Sequence, residues 1–271
     1  MARIAYGATI KEFKIDWNTN KFMSKICEGA YLNRIGGSPS ERSSWNANGA
    51  KILSLIEIAK IPDDVYIVFE YKCPLGGSRI DCLLFGVGKD GKENIAHIEL
   101  KQWSNNTVEQ VFDTGVFQVR ALVGKSYQFL SHPSKQAFNY QQCITNYVSV
   151  IGDTDKKLNG YAYCYNYDYS GKPNVLFDKQ YRPIMEKCPL HGGDQVIQFS
   201  EILHDLFYNG NGNEIFKEFI FSPIKPTKNL MSAAANIFND KQEFILLGEQ
   251  LTSNELIFGM INDKICPIEF S

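Results

Sequence analysis

An aspartate and a glutamate, each inside an apolar run, with a lysine two places beyond the glutamate, are the residues whose types and spacing could do chemistry. Asp81 sits in Ile80-Asp81-Cys82-Leu83-Leu84-Phe85, and Glu99 and Lys101 close the run Asn94-Ile95-Ala96-His97-Ile98-Glu99-Leu100-Lys101. Cutting a phosphodiester requires charge neutralised on the phosphate and a water made nucleophilic. One or two Mg²⁺ (or Mn²⁺) ions held by carboxylates do both. Neighbouring strands lie only about 5 Å apart, so Asp81 and Glu99 on two of them can share an ion. Glu99 and Lys101 project from the same strand face, where an ammonium can polarise the attacking water or stabilise developing negative charge. Leu100 between them faces the core, and its backbone carbonyl is a further candidate ligand.

Glu-x-Lys alone is common, and His97, Glu99 and Lys101 alternating with Ile98 and Leu100 equally describe a strand with a solvated face. Asp81 shifts the balance, because a charge within a run apolar on both faces is costly without a partner or a metal. Gly76 and Gly77 just before it permit close backbone approach. His97 is expected on the strand surface.

These residues need rigid elements. Ser38-Pro39-Ser40-Glu41 is a helix start, with a Ser cap, a Pro in the first turn and an acid near the positive helix end, and the helix runs from about 40 to 60. Residues 65–71 (VYIVFEY), 79–87 and 94–103 read as three strands in a tight meander, with Asp90-Gly91 as the second turn. Glu70 lies near the end of the first strand. A hairpin is expected over 116–123 and 126–130, and a helix over 134–150 places Gln136 and Tyr140 on one face. Residues 161–169 (YAYCYNYDY) form a further strand with Tyr at alternate positions. Residues 1–37 show a helix at 21–32, residues 170–198 look irregular, and helices follow near 199–208, 213–220, 228–238 and 253–262.

The order is a helix with Glu41, a strand with Glu70, Gly-Gly-x-x-x-Asp81, Glu99-x-Lys101 and a helix with Gln136-x-x-x-Tyr140. It resembles the PD-(D/E)XK nuclease superfamily, and the Gln-x-x-x-Tyr element points to its RecB-like branch. The resemblance implies an α/β restriction-endonuclease-like core, a central mixed sheet in the order α-β-β-β-α-β over about 40–169. It further implies that Asp81 and Glu99 bind Mg²⁺, that Lys101 is catalytic, that Gln136 and Tyr140 help position DNA or the metal site, and that Glu41 is a helix-borne extra ligand, with Glu70 the alternative. The family's proline is absent before Asp81, and the RecB-like branch often carries histidine at the place of Glu41. The segments 38–45, 61–64, 70–71, 97–103 and 132–134 also resemble the amino-terminal region of bacterial proteins in which it precedes a Schlafen-like, helicase-type ATPase. Residues 228–250 are similar to the connector before that ATPase. These 271 residues contain no G-x-x-x-x-G-K-[ST] and so no such ATPase; an ATPase or helicase is expected either as a partner or as a following part of a longer chain. Residues 1–209 are expected as the nuclease-like domain and 210–271 as a helical extension.

Composition sets the outer limits. In 271 residues, 44% hydrophobic and 21% charged content are those of a globular chain. A net charge of −2 argues against broad coating of nucleic acid, which needs clustered Lys and Arg, but permits a local groove. Seven scattered cysteines without C-x-x-C, four widely separated histidines and no long apolar run argue against zinc and membrane and suggest a reducing, cytoplasmic setting. The expected activity is Mg²⁺-dependent hydrolysis of DNA, with RNA as the other polynucleotide. Family analogy adds antiviral defence and homo-oligomers. The competing expectation is a catalytically silent module of the same fold that binds nucleic acid or a protein in regulation.

Overall fold

The computed structural model describes residues 3–111, 117–154 and 156–240. Thr9 and Glu12 form a reciprocal capping box that turns β1 (Tyr6–Thr9) into α1 (Ile10–Asn18). Then come α2 (Phe22–Asn33) and α3 (Pro39–Ile58), the latter opened by a Ser38–Glu41 capping box with Pro39 in its first turn. The meander follows as β2 (Tyr66–Lys72), β3 (Arg79–Val87) and β4 (Glu93–Lys101). A small antiparallel sheet comprises β5 (Val108–Glu109), β6 (Gln118–Val123) and β7 (Ser126–Ser131), with Gly124 at φ 63° in the β6–β7 turn. His132 caps α4 (Pro133–Tyr147) by accepting the Ser134 amide at 3.2 Å. The chain continues through α5 (Ser149–Gly152), β8 (Lys157–Cys164), α6 (Arg182–Met185), β9 (Leu190–Gly192), α7 (Val196–Phe207), α8 (Gly212–Ile220) and α9 (Lys228–Asp240).

The main sheet is mixed, in the order β1-β2-β3-β4-β8-β9: β1 to β4 pair antiparallel, and β8 and β9 join parallel. Its helices and sheet together make the α/β, restriction-endonuclease-like layout expected of the sequence. One face packs Ile67, Phe69, Cys82, Leu84, Ile98 and Leu100 on α1 to α3 and α7. The other packs Val68, Leu83, Phe85 and Ile95 on α4 and α8. No helix among the described residues is long and apolar enough to cross a membrane.

Several details depart from the sequence reading. β1 and α1 lie before the helix expected at 21–32, where the sequence reading places no element, and 170–198 contains α6, β9 and the start of α7. The tyrosine-rich strand begins earlier and ends at Cys164; Tyr161, Tyr163 and Tyr165 share one core, Tyr167 enters another and Tyr169 is exposed. The first compact unit runs to Ser232, past the boundary expected at 209, because α8 seats Phe216 and Phe219 against Tyr66, Tyr71 and Phe85. The second unit, 233–271, is described only over the end of α9. The start of the hairpin expected at 116 and the helix expected at 253–262 lie outside the described residues.

Candidate active site

The sheet opens at one level across three strands. β2 and β3 pair as Phe69↔Cys82 and Tyr71↔Ile80, omitting Glu70 and Asp81 between them. The β3–β4 ladder stops at Cys82↔Ile98, one step before Asp81 would meet Glu99. Glu70 holds a left-handed φ of 55° in mid-strand, a conformation that costs a non-glycine residue roughly 1–2 kcal/mol. As a result Val68 and Tyr71 share one core, as do Ile80 and Leu83, although each pair is three residues apart. Alternation therefore slips by one at Glu70 and Asp81. In the gap, Asp81 Oδ2 accepts the Leu100 amide at 2.7 Å and replaces the missing ladder bond. Strain of this kind persists where the surroundings impose it and clusters at functional sites.

The opening faces a cleft of about 700 Å³. Its lining includes Asp81, Glu99, Leu100, Lys101, Glu41, Glu70, Gln136 and Tyr140, so the eight candidate metal-binding, catalytic and supporting residues converge there. The α3 start forms one wall and the β6–β7 turn, Leu122 to Gly124, another.

Lys101 Nζ donates to Glu99 Oε1 at 2.6 Å and lies 5.4 Å from the Trp103 ring centre. Glu99 is only 2% exposed, and its Oε2 is buried with no hydrogen-bond partner. Burial, the Asp81 charge and, in the opposite sense, Lys101 set its pKa, which is pushed up to about 8. Burial and the Asp81 charge likewise push Glu70 up to about 8 against the pull of Arg79. Burial raises Asp81 as well, with Lys101 and the Leu100 amide opposing. For Lys101, burial favours the neutral amine, but Glu99 and Asp81 outweigh it and the pKa rises. Lys101 is thus a fixed cation rather than a base.

Glu41 is differently placed. Its carboxylate accepts the Ser38 amide at 2.8 Å and the Gly37 amide at 3.1 Å and pairs with Arg79. The Ser38 side chain and Arg79 hold its pKa down at about 2. Arg79 also reaches Glu70 at 3.3 Å and the Ile35 carbonyl. Gln136 Nε2 donates to the Tyr140 hydroxyl at 2.7 Å. Burial and the nearby Glu99 charge raise Tyr140, so its hydroxyl keeps its proton as a donor.

Among the described residues, no group of three or more His, Cys, Asp or Glu side chains is arranged to hold a metal ion. Glu99 pairs with Lys101, Glu41 and Glu70 pair with Arg79, and Asp81 accepts the Leu100 amide instead. The donor set still fits a hard divalent cation. It offers oxygens only, four carboxylates facing two fixed cations, and one buried carboxylate oxygen with no partner. Asp81, Glu99 and Glu70 would hold the ion; Glu41 is committed to the helix cap and Arg79.

The solvated-face reading of β4 is corrected. Glu99 is buried, and His97 is wholly buried beneath the helices rather than on a strand surface. Neither His97 ring nitrogen has a hydrogen-bond partner, and burial lowers its pKa to about 3. Sequence reasoning passed over Arg79 and Trp103, although Arg79 lies two before Asp81 on the same strand. Compared with protein-family models, curated proteins and solved structures, the chain gives no match to any of them.

Proposed function

We propose that the chain is a divalent-metal-dependent nuclease of the PD-(D/E)XK type that hydrolyses phosphodiester bonds of DNA. The observation carrying this reading is the charge imbalance at the cleft: Glu41, Glu70, Asp81 and Glu99 against only Arg79 and Lys101. Four acids against two fixed cations leave Glu70 and Glu99 holding protons at neutral pH, and a divalent cation is the charge that would take the place of those protons. When bound, Mg²⁺ or Mn²⁺ neutralises phosphate charge and acidifies water.

The protein groups supply the rest. Asp81 is fixed by the Leu100 amide and Glu99 by Lys101, so both carboxylates are oriented before substrate arrives. Lys101, cationic and backed by Trp103, stabilises the negative charge that builds on the phosphate in the transition state. Tyr140, held by Gln136, offers its hydroxyl proton to a phosphate oxygen. Arg79 keeps Glu70 in place despite its strained backbone. The free thiols of Cys27, Cys73, Cys82, Cys143, Cys164 and Cys188 support a reducing, cytoplasmic setting.

A silent binding module of the same fold is favoured by one observation, the Lys101–Glu99 ion pair that ties up a metal-facing carboxylate. Incubation with linear, nicked and single-stranded DNA in Mg²⁺ or Mn²⁺ separates the two. The nuclease reading expects cleavage that disappears in Lys101→Ala and Asp81→Ala; binding without cleavage of any substrate would leave the silent module.

A further inference from the structure

The β6–β7 hairpin that walls the cleft has an outer face the nuclease chemistry does not use. In its register Leu122 faces Tyr127 and Arg120 faces Phe129. Cross-strand partners share a face, as do residues two apart on a strand, so these four side chains form one patch. The opposite face carries Val119 and Ala121, fully buried. On the outer face Phe129 is 64% exposed. The Arg120 guanidinium lies over the Tyr127 ring at 5.2 Å and is braced by Glu109 at 2.7 Å, while the Tyr127 hydroxyl donates to the Asn106 carbonyl at 3.3 Å. Tyr127 and Arg120 are therefore held in place. β7 is an edge strand, where natural sheets usually place charges rather than exposed aromatic rings.

This face is continuous with the cleft, because Leu122 belongs to both. At about 3.3 Å per residue, Phe129 stands roughly 15 Å from the turn at the cleft rim. We propose that the outer face of the β6–β7 hairpin is a stacking platform for unpaired bases, and that the substrate at the cleft is single-stranded nucleic acid. The proposal rests on the nuclease reading for what happens in the cleft, but not for binding. Two observations favour a single strand over a duplex. Ring faces of bases are free to stack on Phe129 and Tyr127 only when the bases are unpaired. The chain's net charge is −2, and Arg120 is already paired with Glu109, so affinity must come from stacking more than from phosphate neutralisation, on which duplex binding chiefly depends.

The test is fluorescence anisotropy of the whole protein, in EDTA to prevent cutting, with labelled single-stranded DNA, single-stranded RNA of the same sequence, and the DNA duplex. Either single strand should bind at least about tenfold tighter than the duplex, and Phe129→Ala should weaken it by roughly 5- to 150-fold, the range for loss of one stacked base. Phe129→Trp should restore it. Phe129 is exposed, so these variants fold, and a melting scan verifies that. Duplex binding equal to or tighter than single-strand binding overturns the proposal, as does single-strand affinity unchanged in Phe129→Ala. So does a Phe129-dependent change in sedimentation without nucleic acid, which would mark the face as a contact between copies. Single-strand binding through Phe129 without cleavage in Mg²⁺ or Mn²⁺ would sustain the platform and overturn only the nuclease.

Discussion

Replacing Glu99 by Gln should make the metal-free protein more stable while removing its metal response. The carboxyl of Glu99 is raised from 4.5 to about 8. Each pH unit above 4.5 then costs about 1.4 kcal/mol until the folded-state pKa is reached, or about 3 kcal/mol at pH 7. Part of that cost comes from the Asp81 charge, which raises both Glu99 and Glu70. A net gain of about 2 kcal/mol is expected, which for a chain of this size is a rise in Tm of roughly 4–8 °C. The Gln amide oxygen still accepts from Lys101, while its NH2 takes the place of Oε2, an atom without a partner in the wild type as well, so the gain is set below the full cost. The assay is calorimetric melting at pH 7 in EDTA, repeated at pH 5, where the difference should largely vanish. Mn²⁺ at about 100 times its Kd should then add about 2.7 kcal/mol to the wild type and nothing to Glu99→Gln. A variant less stable than wild type in EDTA, or equally stabilised by Mn²⁺, would refute the reasoning.

Other outcomes follow from the same geometry. Because Glu70 and Glu99 bind protons more tightly folded than unfolded, metal-free stability should fall as pH rises from about 4.5 to about 8 and then level off, and saturating Mn²⁺ should flatten the fall; a metal-free melting profile that climbs over this range would contradict the assignment. Glu70→Gly should relieve the left-handed strain and stabilise by about 1 kcal/mol, whereas Glu70→Val should destabilise, as urea titration would reveal. Arg79→Ala should cost about 2–4 kcal/mol by leaving Glu70 buried and unpaired, and additional Glu70→Gln should recover most of it in a double-mutant cycle. His97→Leu should be neutral or stabilising by about 1 kcal/mol, since neither ring nitrogen has a partner to lose.

Much of the site could be read from sequence because its cues are local. Ser38-Pro39-x-Glu41 announces a capping box, Asp90-Gly91 a turn, and Asp81 stands out as a charge in an apolar run. For Glu41 the same local signal describes the capping duty that occupies its carboxylate, the group that the resemblance would give to a metal. What stayed hidden depends on tertiary context. Glu70 adopts a left-handed φ that glycine or asparagine would have signalled and glutamate does not. His97 and Glu99 alternate like a solvated face, and tertiary packing, with α4 against β4, buries them. β1 escaped notice because it is four residues long, contains Gly and Ala, and gains its strand character from pairing with β2. Arg79 carries no motif; its role exists only where the α3 start meets the end of β2.

The claim that these carboxylates hold a divalent ion is tested most directly by diffraction at the manganese edge from crystals soaked in Mn²⁺. The account predicts an anomalous peak in the cleft, contacted by the carboxylates of Asp81 and Glu99, that is lost in Asp81→Asn. No peak there, or an identical peak in Asp81→Asn, would contradict it.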